Sequence, residues 1–183
     1  MSTHQTFATP TYFLSGGKFL LNDAGQKVNS EYERAASEKQ KLDATWAGAL
    51  LARIFIDHRW LAGMTIELRA SAATDDDGES YRSVQAYVSD VTAVDGETLP
   101  ESVDATGNLD QGCAVDLLEG VLQDNDADLY ASFAEPHEYD DIDLTVRRDA
   151  IAELLQEEQI DGSVAFALLF PDRAHPAPNG PSA

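Results

Sequence analysis

The stretch TIELRASAATDDDGESYRSVQAYVSDVTAV, residues 65–94, decides the fold class. Ile66, Leu68, Ala70 and Ala72 alternate with Thr65, Glu67, Arg69 and Ser71. A period of two places one set on each side of a strand, so this segment reads as a half-buried β-strand. Asp75-Asp76-Asp77-Gly78 supplies the turn, since Asp and Gly tolerate the backbone angles a reversal needs. The return strand, Ser80–Val94, carries Val84, Ala86 and Val88, then Val91 and Ala93. Its apolar phase slips by one residue at Ser89-Asp90, which predicts a β-bulge.

Upstream of this hairpin, Thr11–Leu14 and Lys18–Leu21 read as short strands separated by Ser15-Gly16-Gly17. Leu21-Asn22-Asp23-Ala24-Gly25-Gln26 has the chemistry of a second turn, with Gln26–Asn29 as its return strand. A long helix near residues 30–62 follows. Ser30 and Glu33 form a capping box, and Tyr32, Ala35/Ala36, Leu42, Trp46, Ala49/Leu50 and Ile54 keep a spacing near 3.6, interrupted by Lys39. A break near Asp43–Thr45 is an open alternative. His58 and Arg59 suit the negative end of the helix dipole, and Gly63 reads as its stop.

Downstream, Asp95–Gly107 is loop, and Asp110 caps a helix whose inner face is Ala114/Val115, Leu118 and Val121/Leu122. Leu129, Ala131 and Phe133 read as a short strand, and Ile142, Leu144 and Val146 as another. Asp149 caps a short helix with Ile151, Leu154 and Leu155. Ser163–Phe170, apolar on both faces, reads as a central strand. The expectation is α+β: a single domain over residues 11–170, with a mostly antiparallel sheet covered by about three helices. Residues 1–10 read as a frayed N-terminus and 171–183 as a disordered, proline-rich tail. The predicted core is Trp46, Leu50, Ile54, Ile66, Leu68, Val84, Leu118, Leu154, Val164, Phe166 and Leu168.

Charge is distributed unevenly. Residues 1–70 hold 7 acids and 8 bases, residues 71–146 hold 20 acids against Arg82 alone, and residues 147–183 hold 6 acids and 3 bases. The chain's net −21 therefore comes almost entirely from its middle. Like charges crowded into one fold repel and weaken it, so their concentration is a functional clue. Salt adaptation predicts acids everywhere and few lysines anywhere, yet all four Lys fall in residues 1–41. The acidic middle also argues against direct binding of nucleic acid or an anionic membrane face. No segment approaches the roughly 20 apolar residues of a membrane helix. The first residues lack a signal-peptide pattern, and the single Cys113 fits a reducing, cytoplasmic setting, where it reads as a buried, inert thiol.

Motifs for chemistry are sparse. Asp124, Asp126, Asp128 and Glu135 fall at positions 1, 3, 5 and 12 of a calcium-loop spacing, with the Tyr130 carbonyl at position 7. Leu129 stands where that loop needs Gly, and Pro136 follows where its exit helix starts, so the match is partial. His137 lies among Glu135, Glu138, Asp140 and Asp141, but a zinc site needs two or more His or Cys. Ser15-Gly16-Gly17-Lys18 lacks the first Gly of a phosphate loop, and Phe19 replaces its magnesium-binding hydroxyl. Gly162-Ser163 is not a nucleophile elbow. No catalytic, cofactor or complete metal motif is present.

The functional expectation follows from the charge. Asp75, Asp76, Asp77 and Glu79 sit at a hairpin tip, Asp124, Asp126 and Asp128 after a helix, and Asp140, Asp141 and Asp143 at the start of a strand. Element ends are where a protein presents groups to others. These ten residues are the candidate contact surface for a basic, nucleic-acid-binding protein, and the chain is an acidic binding or inhibitor protein. DNA mimicry, of an anti-restriction or anti-CRISPR kind, is the sharpest form of this reading. DNA carries a charge per roughly 1.7 Å of axis, and alternate strand carboxylates lie roughly 6.6 Å apart on one face. An enzyme with an unrecognised site and a calcium-binding acidic loop protein are the alternatives.

Overall fold

A computed structural model describes residues 9–134 and 139–174. Its elements are β1 (Tyr12–Ser15), β2 (Lys18–Leu21), α1 (Asp23–Asp57), β3 (Leu61–Thr74) and β4 (Ser80–Ala93), then α2 (Gln111–Gln123), α3 (Asp126–Ala131) and β5 (Ile142–Arg147). Two 3-10 turns, Arg148–Ile151 and Leu154–Gln156, precede α4 (Gly162–Leu169) and the short α5 (Pro171–Ala174). The class is α+β, with two antiparallel sheets and a long helix near the N-terminus. The chain divides inside α1 into two compact units, Met1–Leu42 and Asp43–Ala183.

The first unit holds the β1–β2 hairpin, paired from Tyr12↔Leu21 to Ser15↔Lys18. Gly16 and Gly17 both take positive φ in its turn, as Ser15-Gly16-Gly17 requires. The expected second turn at residues 21–26 is instead the start of α1. The Asn22 side-chain oxygen accepts the Gly25 N–H at 2.8 Å and the Asn22 carbonyl accepts the Gln26 N–H at 2.9 Å, so Asn22 is the N-cap. Asparagine serves turns and caps equally well, which is why the sequence misleads here. Ser30 lies inside the helix and donates to the Gln26 carbonyl at 3.0 Å, so it caps nothing. Gln26–Asn29 is helix rather than strand, and the helix runs unbroken through Asp43–Thr45.

In the second unit β3 is the central strand of a sheet ordered β4-β3-β5. Ile66 pairs with Val88 on one side and Leu144 on the other, and Leu68 pairs with Ala86 and Ile142. Met64, Ile66, Leu68, Val88, Ile142, Leu144 and Val146 are buried in one continuous core with Leu51, Ile54 and Phe55 of α1. Leu118 and Leu122 of α2, Leu129 and Tyr130 of α3, and Phe166 of α4 complete it. The opposite sheet face is polar. Thr65 and Thr145 are 3.4 Å apart, and Ser89 donates to Glu67 at 3.1 Å. The predicted bulge is present: the register shifts between Gly63 and Thr65, opposite Asp90, whose φ is 49°.

Ser163–Phe170 is not a central strand. It is the body of α4, started by Asp161, whose carboxylate accepts the Ser163 N–H at 2.8 Å. An apolar run of strand length carries no periodicity that separates a strand from a buried helix, and the cap decides. The error moves two predicted core residues: Val164 and Leu168 are exposed, while Ala165, Phe166 and Leu169 are buried. The short strand expected at Leu129–Phe133 is likewise the helix α3. Trp46, Leu50 and Val84 pack on the core only partly buried, and Ile54, Ile66, Leu68, Leu118, Leu154 and Phe166 are buried as expected.

Two contacts fix α1 within this unit. Gly48 faces Gly162 across the α1–α4 crossing. A Cβ on Gly48 would overlap the Gly162 carbonyl, and one on Gly162 the Thr45 carbonyl. The backbones thus approach as closely as they do because both residues are glycine. At its C-terminal end α1 has no basic residue in its last turn. Arg148 supplies the charge from the start of the first 3-10 turn, donating to the carbonyls of Phe55, of His58 at 3.0 Å and of Leu61 at 2.8 Å. Its guanidinium lies 5.5 Å from the Phe55 ring centroid, and burial lowers its pKa from the usual arginine value. The helix therefore ends at Asp57, short of the expected 62, and Gly63 lies inside β3 rather than at a helix stop.

Candidate functional site

The acidic residues occupy the β3–β4 turn, α2, α3 and the approach to β5. At the turn the Asp75 carboxylate accepts the N–H groups of Asp77 at 3.1 Å and Glu79 at 2.7 Å, and Gly78 takes φ +83°. Asp75 therefore builds the turn, and Asp76, Asp77 and Glu79 are exposed around it.

Near β5, Arg69 gathers three carboxylates. It reaches Asp143 at 2.7 Å, Glu67 at 2.6 Å and Asp141 at 3.8 Å. The hydrogen bond to Asp143 leads in holding the guanidinium further toward its charged form. This charge comes from the balanced first 70 residues, so part of the excess counted along the sequence is offset in space. Asp140 is exposed, and its backbone carbonyl accepts the Tyr130 hydroxyl at 2.9 Å.

Tyr130 is the node of the region. The ring is fully buried and lies 4.8 Å from the Arg82 guanidinium on β4, while its hydroxyl reaches the segment before β5. One side chain of α3 thus brings together the elements that carry all three acidic clusters. The turn lies only a few residues beyond Arg82, on the order of 10 Å along the strand. The sequence offered Tyr130 only as a backbone carbonyl of the calcium-loop spacing, because the role of its side chain depends on residues 48 positions upstream and ten downstream.

Beside this node, β4 and α2 enclose a cleft of about 300 Å³ lined by Gln85, Tyr87, Asp116, Glu119, Gln123 and Asp126. β4 is an edge strand here. Glu119 accepts the Val88 N–H at 2.9 Å, and the Gln111 side chain donates to the Val91 carbonyl at 2.8 Å, so α2 side chains occupy backbone groups that a neighbouring strand would otherwise use. Asp116 and Glu119 were not singled out from the sequence. Their spacing of three, which sets them side by side on α2 next to the buried Leu118 and Leu122, was the available signal.

The calcium-loop spacing does not fold as such a loop. Asp124 is the C-cap of α2, and Asp126 and Asp128 lie in the first turn of the helix α3, because Leu129 and Tyr130 are drawn into the core. Glu135, with Pro136, His137 and Glu138, lies outside the described residues. Among the described residues no three His, Cys, Asp or Glu side chains are grouped to hold a metal ion. Cys113 is exposed in the first turn of α2 rather than buried. The charge of Asp110, which also caps that helix by accepting the Cys113 N–H at 3.0 Å, pushes the thiol pKa up and keeps the sulfur in its less reactive form. Among the described residues no helix is long and apolar enough to cross a membrane. Comparison with protein-family models, with curated proteins and with solved structures finds no match to this chain.

Proposed function

We propose that this chain is an acidic binding protein whose surface around Tyr130 docks on a basic protein, in a cytoplasmic setting. The observation that carries the reading is that one buried tyrosine ties together the elements bearing the three acidic clusters, with nine of their ten carboxylates on exposed residues and Asp126 half-buried. A surface of one sign speeds encounter with its opposite and makes binding sensitive to salt. A partner built to hold nucleic-acid phosphates meets these carboxylates with the same cations, which is how DNA mimicry and inhibition would arise.

The test is affinity capture from host extract at low salt, followed by elution with rising salt. A basic nucleic-acid-binding protein should be released by salt and displaced by duplex DNA. Replacing Asp76, Asp77, Asp126, Asp128, Asp140 and Asp141 together by Asn should abolish that capture. Asp75 and Asp143 are kept, since one holds the turn and the other pairs with Arg69. Capture that is unchanged in the Asn variant would end this reading.

A further inference from the structure

Among the described residues, eight of the fourteen large apolar side chains that stand exposed fall between Tyr12 and Leu42: Tyr12, Phe13, Leu14, Phe19, Leu20, Val28, Tyr32 and Leu42. Phe19 is 78% exposed and Tyr32 70%. Among the described residues, none before Ala44 belongs to the hydrophobic core or packs on it. A hairpin with four residues per strand is marginal in water by itself, and so is one isolated stretch of helix. The first unit therefore displays apolar surface that it does not bury, and the sequence arranges that surface in a particular way.

Val28, Tyr32, Ala35, Lys39 and Leu42 follow steps of 4, 3, 4 and 3, and all five are exposed on α1. This is the a/d seam of two heptads, the pattern that fits another helix bearing the same pattern. The polar side chains flank it: Lys27–Glu31 and Arg34–Glu38 pair along the helix at 3.9 and 3.8 Å. Lys39 occupies an a position, where one long polar residue specifies oligomer state and register. Two heptads are short for a free-standing coiled coil, but the seam continues into a groove of about 360 Å³ lined by Tyr12, Leu21, Val28 and Tyr32, which adds apolar surface from the hairpin.

Charge selects the occupant. Residues 1–42 carry 4 acids and 5 bases, net +1, while residues 43–183 carry net −22. The net charge of the second unit makes two copies of it repel, while the first unit adds almost nothing to that repulsion. We infer that the chain forms a homodimer in which the α1 seam Val28–Leu42 packs against the same seam of a second copy. This contact is separate from the acidic surface, and salt tells the two apart. Screening the −22 regions should tighten the dimer, whereas it should weaken a contact between acids and a basic partner.

Sedimentation velocity of the full chain, from about 1 to about 100 μM and at low and high salt, tests this. The expected result is a dimer whose dissociation constant falls as salt rises. Val28→Glu with Leu42→Glu should weaken it by about a hundredfold or more, since two apolar contacts per copy become charges. Ser30→Glu with Ser37→Glu adds the same charge opposite the seam and should leave the dimer intact. Fluorescence of the buried Trp60 should be unchanged in both variants, showing that the second unit keeps its fold. A wild-type monomer at every concentration, a dimer that survives the seam variant, or equal dissociation by both variants would overturn the inference.

Discussion

The two units of this chain meet the same demand differently. Asp43–Ala183 buries Leu51, Phe55, Ile66, Leu68 and Leu118 almost completely, whereas among the described residues up to Leu42 only Asn22 and Gly25 are buried. The first unit is ordered by a polar knot, in which Asn22 receives the N–H groups of Thr11 and Gly25 and donates to the Thr9 carbonyl. The second is ordered by area removed from water. The contrast teaches that a regular hydrogen-bonded scaffold and a hydrophobic core are separable, and that the former without the latter presents surface for association.

Substitutions sharpen this contrast. The largest effect is expected at Gly48→Val, where the side chain must displace the backbone of α4. Urea unfolding followed by tryptophan fluorescence should show a loss of more than about 4–5 kcal/mol, or no folded second unit at all. Phe55→Ala should cost about 3–5 kcal/mol in the same measurement, because the ring is fully buried beneath Arg148. Arg148→Met should cost about 1–3 kcal/mol by leaving the carbonyls at the end of α1 without their donor. Leu14→Ala, in the first unit, should stay within about 0.5 kcal/mol at low protein concentration, since its side chain is 66% exposed. A loss there as large as at Phe55 would erase the distinction between the units.

The smallest effect concerns His58, which sits at the end of α1 in the second unit. Burial holds its pKa below the usual 6.5, with Asp57 partly opposing. The unfolded chain therefore binds the proton more readily than the folded one. The contribution is fully present above pH 6.5 and is lost as pH falls from there through the lower folded value. His58→Gln should flatten the stability curve in that window, and an unchanged slope would show that His58 does not set it.

The β3–β4 hairpin, its bulge, α2 with its Asp110 cap, and β5 were legible because each carries a local signature: alternation, a phase slip or a cap. The α4 segment was not, because Val164-Ala165-Phe166-Ala167-Leu168-Leu169 lacks a polar face that would reveal its period, and the decisive signal was Asp161 before it. The start of α1 was misplaced because Asn22 and Ser30 both qualify as caps, and only the contact of Asn22 with Thr9 and Thr11 chooses between them. The acidic clusters were legible as composition. The link that Tyr130 makes between the elements bearing them, and the offset that Arg69 provides through Asp143, were not, since both depend on partners between 10 and 74 residues away. The Arg148 contacts and the Gly48–Gly162 crossing are tertiary in the same sense.

The position of Arg148 also bears on how the chain comes to be folded as it is made. The β3–β4 hairpin closes between neighbours, so it can form as soon as its residues leave the ribosome. The third strand is complete only at Arg147, 54 residues after the hairpin's last residue, Ala93 (147 − 93), and the clasp on the end of α1 waits 93 residues for its arginine. At roughly 5–20 residues per second that is about 3–11 s with an open-edged ribbon and about 5–19 s with an unfinished helix end. Over that interval the acids at the β3–β4 turn, already synthesised, keep neighbouring ribbons apart by repulsion. The charges proposed above as a contact surface thus also guard the unfinished sheet edge.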